Sequence, residues 1–170
     1  MNDGTAVSYE TQVCDYTYGP PVHVCYTPTW PQVWYGCVGS RDYPLETLDE
    51  QYDKPIPGIM NVTCQSEISP LGNDINALKT QIDAMVANGE TYLPSGLIWG
   101  WRLLSKQAPY EEAAGYDEPV NGQIVRKVLV LMTDGKNTLS PTYPTHVGTD
   151  TAKSDQITAE LCSNIKAKGI

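Results

Sequence analysis

Val128-Leu129-Val130-Leu131-Met132-Thr133-Asp134-Gly135 is the most apolar run of the chain's second half and ends in a polar turn. Its first five residues are apolar without interruption, so the segment from Ile124 to Met132 lacks the alternation of a half-buried strand. It reads as a strand covered on both faces, as in a parallel sheet flanked by helices. The run stops abruptly at Thr133-Asp134-Gly135. That places Asp134 in the loop at the carboxyl end of a central strand, where open α/β sheets put their ligand sites.

Helical patterns lie on either side of this run. Upstream, Ile75, Leu78, Ile82, Met85 and Val86 recur at helical spacing among the polar Asn76, Lys79, Gln81 and Asp83. A turn at Ser69-Pro70-Leu71-Gly72-Asn73-Asp74 opens this amphipathic helix and Asn88-Gly89 stops it. Pro94 suits a first helical turn, and Gly96 to Leu104 is apolar on nearly every side, which predicts a buried helix. Downstream of the polar loop Lys136 to Gly148, a last helix is predicted from about Thr151 to Lys168, with the stripe Ile157, Leu161 and Ile165 and a cationic, glycine-capped end. Residues 71–170 therefore read as an α/β domain, a Rossmann-like three-layer sheet with helices on both faces. A helix of such a fold would hand over to another strand after Ile170, so the reading expects a partial domain.

Residues 1–70 differ in character. They hold most of the 13 prolines, no helical period, and four of the five cysteines, at 14, 25, 37 and 64. They read as a Pro- and Tyr-rich insertion or subdomain of loops and small strands. No CxxC pair is present to suggest zinc, and disulfides in an oxidising compartment are the better reading. Nearest-neighbour pairing joins Cys14 to Cys25 and Cys37 to Cys64, leaving Cys162 alone.

Bulk properties exclude several classes. The 170 residues carry 11 Lys and Arg against 20 Asp and Glu, a formal charge of −9, which repels nucleic acid and anionic lipid. Mean hydropathy is −0.33, no run approaches the roughly 20 apolar residues of a membrane helix, and Met1-Asn2-Asp3-Gly4 has neither the basic start nor the apolar stretch of a signal peptide. The chain as written reads as soluble. No GxGxxG, Walker loop or HExxH is present, so nucleotide chemistry and zinc proteolysis have no support. There are 2 histidines, His23 and His146. Ser95 sits in Leu-Pro-Ser-Gly-Leu, without the first glycine of a nucleophile elbow, and a Ser95, His146, Asp134 hydrolase is a distant third reading. The chain is expected not to be an enzyme.

The Thr133-Asp134-Gly135 loop, taken with Gly89-Glu90-Thr91 before Leu93-Pro94-Ser95-Gly96-Leu97, resembles the von Willebrand factor A fold. More narrowly, Gly36-Cys37-Val38-Gly39-Ser40-Arg41, Cys64 before a Ser-Pro-Leu turn, the block from Thr91 to Ser105 with its Trp99-Gly100-Trp101-Arg102, and Leu161-Cys162 through Gly169 are similar to the TadG-type proteins of Flp (tight-adherence) pilus assembly. The resemblance spans about residues 34 to 170. It implies a non-catalytic, membrane-anchored protein in the periplasm or envelope of a Gram-negative bacterium, its anchor lying in a segment absent from this chain. Its partners would be proteins of the pilus machinery.

In the von Willebrand A family a threonine and an aspartate at these two loops face a divalent metal at the metal-ion-dependent adhesion site, and a partner's acidic group completes the coordination. By position, Thr91 and Asp134 would be the metal ligands of a completed site, and Thr91, Tyr92, Asp134 and Gly135 the binding face. Mg²⁺ or Mn²⁺ would be held in an intact parent and none is expected for this chain alone, because the family's Asp-x-Ser-x-Ser element is absent. Without the resemblance, Asp134-Gly135 is a turn after a strand and Thr91 a helix cap.

An alternative reading assigns recognition of glycan or peptide to the aromatic cluster Tyr16, Tyr18, Tyr26, Trp30, Trp34 and Tyr35, with the α/β part as scaffold. Loop aromatics otherwise fill satellite cores. Trp99 and Trp101 are read as core rather than as ligand stackers. Asn61-Val62-Thr63 matches the glycosylation sequon, which carries little weight without secretory context.

Overall fold

Two helices crossing through one apolar cluster organise the protein. The computed structural model describes residues 33–50, 53–64, 66–133 and 135–170, together with the backbone of 13–15 and 24–26. Helix α2 (Leu93–Leu104) presents Leu97, Ile98 and Trp101 to Ile157, Leu161 and Ile165 of α3 (Thr151–Ala167), with Trp99, Leu129, Cys162 and Ile170 at the margin. The α3 stripe is the one its periodicity predicts. Its N-cap is Asp150, whose carboxylate accepts from the Lys153 amide, satisfying one of the free donors of the first turn. Trp101 is 1% exposed, and its indole N–H donates to the Tyr116 hydroxyl at 2.7 Å.

The strands are short and local. β1 (Val13–Asp15) pairs with β2 (Val24–Tyr26), β3 (Trp34–Val38) with β4 (Gly58–Met60), and β5 (Pro119–Val120) with β6 (Gln123–Ile124), all antiparallel. The architecture among the described residues is thus three α-helices, a 3₁₀ turn at Leu45–Thr47 and three two-stranded ribbons. The disulfide Cys37–Cys64 ties the end of β3 to the chain beyond β4, with the Cα atoms 5.6 Å apart. Cys14 and Cys25 are Cα partners in the β1–β2 register, while their side chains, and with them the second expected disulfide, lie outside the described residues. Cys162 is a free, half-buried thiol.

Two expectations are corrected. Ile124 to Met132 is not a paired central strand, since only Ile124 enters a ladder and no parallel pair occurs among the described residues. Instead Val125, Lys127 and Leu129 are half-buried while Arg126, Val128 and Val130 are exposed, the period of an extended chain covered on one face. A side chain at Gly100 would meet Leu129 Cδ1 at 3.2 Å, which shows how closely that face sits on α2. The Lys127 ammonium donates to the carbonyls of Leu104 and Ala114, anchoring the segment at the α2 C-terminus. A continuous apolar run fixes the conformation but not the number of neighbours, and among the described residues each strand pairs only within its own two-stranded ribbon.

The second correction concerns α1 (Ile75–Asp83). It forms where predicted, capped by Asp74 accepting from the Asn76 and Ala77 amides, and ends a turn before Asn88-Gly89. It buries none of its residues, so the stripe Ile75, Leu78 and Ile82, with Met85 and Val86 beyond, is exposed rather than core. No helix is long and apolar enough to cross a membrane among the described residues.

Candidate functional site

Helix α2 begins at Tyr92 without a side-chain cap of its own, and the loop after Asp134 supplies one. Asn137 Oδ1 accepts from the Leu93 amide at 2.8 Å, while its Nδ2 donates to Asp155 Oδ1 at 2.8 Å and approaches Thr158 Oγ1 at 3.4 Å on α3. Beside it, the Thr138 and Leu139 amides donate to the Thr91 carbonyl at 2.9 and 3.1 Å. The Thr91 amide donates to Thr138 Oγ1 at 2.7 Å. The two loops singled out from sequence are therefore joined through Thr91 and residues 137–139. Asp134 lies outside the described residues, and Gly135 is an exposed bend whose amide donates to Thr133 Oγ1 at 3.2 Å.

A closed polar cluster lies beneath Tyr92. The Tyr92 ring stacks on His146, with centroids 4.2 Å apart and planes 19° from parallel. His146 Nε2 shares a hydrogen bond with Ser40 Oγ at 2.7 Å. Burial pushes this imidazole down to about 4, so it is a poor proton acceptor at neutral pH and the Ser40 contact reads as structural. Position 39 must be glycine, because a Cβ there would come within 2.1 Å of the Pro144 carbonyl oxygen.

Glu46, in the 3₁₀ turn, is 4% exposed. Burial pushes its carboxyl up to about 7, opposed by the Tyr143 hydroxyl and the Lys153 charge and reinforced by Glu160 and Asp42. Glu46 Oε2 and the hydroxyls of Tyr92 and Tyr143 are buried and fall short of full hydrogen-bond geometry. Burial, and then the neighbouring Glu46, raise both phenols. Thr47 next to it donates to Glu160 Oε1 at 2.8 Å, and its carbonyl accepts from Asn164. A cavity of about 290 Å³ opens alongside, walled by Ser40, Asp42, Lys54 and several prolines.

A metal at the Thr91 face would require several hard oxygen ligands. Among the described residues no group of three or more His, Cys, Asp or Glu is placed to hold an ion; of the two ligands the resemblance implies, Thr91 is described and Asp134 lies outside the described residues.

A second opening, of about 660 Å³, lies between β3 and the start of α2. Trp34, Tyr35, Trp99 and Tyr110 line it with Glu67, Ser95 and Gly96. Of the aromatic cluster read from sequence, Trp34 and Tyr35 come here; the side chains of Tyr16, Tyr18, Tyr26 and Trp30 lie outside the described residues. Trp101 is core as expected, whereas Trp99 has Arg102 over its ring at 4.5 Å and also borders the opening.

Sequence reading missed Glu46, Tyr143 and Asn137. The available signal was weak: an acidic residue inside Pro44-Leu45-Glu46-Thr47-Leu48, and one asparagine in a polar loop. Their roles depend on contacts across 44 residues from Asn137 to Leu93 and 113 from Thr47 to Glu160. No family model, no curated protein and no solved structure matches the chain.

Proposed function

We propose that this chain is a von Willebrand A-like part of a TadG-type envelope protein. It serves Flp pilus assembly without catalysis, in the periplasm, through protein–protein contacts at the face bearing Thr91, Tyr92, Asp134 and Gly135. The observation that carries this reading is the docking of residues 137–139 onto Thr91, which holds the loop that follows Asp134 against the loop before α2. That is the pairing of loops the resemblance implies. The three-layer sheet belongs to the same proposal, with further strands beside residues 125–132. Mg²⁺ would enter only where additional oxygen ligands complete the face, supplying a Lewis-acidic position for a partner carboxylate.

The test is site-specific photo-crosslinking in a bacterium that makes these pili, with a benzophenone side chain at the exposed Glu90. Adducts with a pilus-assembly component that disappear in Asp134→Ala are expected. No such adduct at Glu90 overturns the reading.

Gly96 favours a second reading, recognition of a ligand in the aromatic opening. A glycine inside a helix costs about 1 kcal/mol relative to alanine, and a Cβ at 96 would meet nothing within 4 Å. Packing explains Gly100 one turn later but not Gly96, whose missing side chain leaves space in the opening. Crosslinks from Tyr35 in place of Glu90 would select this reading.

A further inference from the structure

The aromatic opening between β3 and α2 is bordered by the rings of Trp34, Tyr35, Trp99 and Tyr110. Trp34 and Tyr35 are consecutive, and a regular strand would send them to opposite faces. The ladder register shifts between Trp34 and Val38, and Gly36 takes a φ of +91° there, a bulge that lets both rings reach the opening. Trp34 is held as a platform. A Cβ at Gly58 would meet its indole at 3.1 Å, so the backbone of β4 lies against the ring while 37% of the residue still faces solvent. Tyr35 is 58% exposed.

The polar groups around these rings narrow the ligand class. An anion needs donors, and the amides at the start of α2 are spent: Leu93 donates to Asn137, Pro94 has none, and Ser95 donates to the Tyr92 carbonyl. The Trp34 indole N–H is given to the Cys37 carbonyl, which leaves the ring a π face but no donor for a peptide carbonyl. A sugar ring needs polar partners on several sides, and no Asn, Gln, Asp, His, Lys or Arg is among the described residues that line the opening. What remains is negative. Glu67 is the one charged side chain of that lining. Burial, and after it the Glu112 charge, raise the Tyr110 phenol, so a second carboxylate stands by the same rim. Ring faces carry the negative lobe of the aromatic quadrupole, and the chain's formal charge of −9 adds attraction at longer range.

We propose that this opening docks an arginine side chain presented by an extended segment of a partner protein. A planar guanidinium stacks on aromatic faces and pairs with a carboxylate through two hydrogen bonds, neither of which an ammonium does as well. Trp99 already has the buried Arg102 guanidinium 4.5 Å over its ring, so the incoming group goes to Trp34, Tyr35 and Tyr110, with Glu67 as its counter-ion. The opening of about 660 Å³ continues over Ile68 and Pro109, apolar surface that a free guanidinium would leave bare and that the neighbours of a peptide arginine cover. The inference rests on the reading of this opening as a recognition site and is independent of the Thr91 face.

A proton–nitrogen NMR titration of the whole chain tests it, with the acetylated and amidated peptide Gly-Ile-Arg-Ile-Gly and the same peptide carrying citrulline, the neutral isostere of arginine. The arginine peptide is expected to shift the Trp34 indole signal saturably and to bind about fivefold or more tightly than the citrulline peptide. Tyr35→Leu and Glu67→Gln, both at exposed positions, should each weaken the arginine peptide about fivefold. Equal binding of the two peptides at Trp34 overturns the arginine assignment while the opening stays a recognition site, and so does binding of maltotetraose there in place of either peptide. No shift with any of the three overturns the proposal, and crosslinking from Tyr35 then judges the recognition reading separately. Variants that bind as tightly as the wild type also overturn it.

Discussion

Replacing Glu46 by glutamine probes the buried cluster under Tyr92. The side chain is 4% exposed and its carboxyl rises from 4.5 to about 7 on folding, chiefly through burial. Between those values the folded chain retains a proton that the unfolded chain has released, so the protonated form carries the stability. That stability is intact below 4.5 and declines as pH rises through about 7. The shift, about 7 minus 4.5, corresponds to about 3 kcal/mol at 1.36 kcal/mol per unit. Glutamine has the same shape and is neutral throughout.

His146 acts with the opposite sign. Its lowering from 6.5 to about 4 makes stability increase with pH across that window. It is present in both proteins and cancels in their difference. Urea unfolding of the two proteins from about pH 5 to about pH 8 should therefore give a small difference at the acid end, about 0.8 kcal/mol from the unfolded and folded values of 4.5 and about 7. The difference should grow to about 3 kcal/mol in favour of Glu46→Gln at the alkaline end. A difference that stays flat, or that favours the wild type above neutrality, refutes the argument that this carboxyl is charged at a desolvation cost.

Two further outcomes are open to measurement. Asn137→Ala removes the cap on the Leu93 amide and the link to α3, and should cost about 2 kcal/mol; unchanged hydrogen exchange at the Leu93 amide would contradict the capping role. Nonreducing peptide mapping should recover Cys37 joined to Cys64, and reduction should lower stability by about 3.5 kcal/mol for a loop of this length; a Cys37 bridge to any other cysteine would contradict the structure.

Legibility tracked the range of the interactions. The α3 stripe of Ile157, Leu161 and Ile165, the Asp74 cap of α1 and the proline start of α2 were readable because each is set within a few residues. The Cys37–Cys64 bridge was readable as a nearest-neighbour pairing. For the adhesion-site candidates, the resemblance set Thr91 beside the loop around Asp134, but pointed neither to Thr138, whose hydroxyl accepts from the Thr91 amide, nor to Asn137, which caps α2 from the same loop. For the Ile124 to Met132 run, composition gave extended backbone correctly and complete burial incorrectly, since burial depends on which other segments arrive.

Residue order alone was enough to locate the helices, to show that prolines and cysteines concentrate in the first part of the chain, and to give the net charge of −9. Helical period, capping and net charge are local or additive quantities that a string of residues contains. Packing between distant segments is what buries Glu46 among tyrosines, brings His146 to Ser40, and leaves exposed the apolar stripe of α1 and the side chains of Val128, Val130 and Met132. Each of these depends on what lies within a few ångströms in space, and that is fixed by packing between segments far apart along the chain.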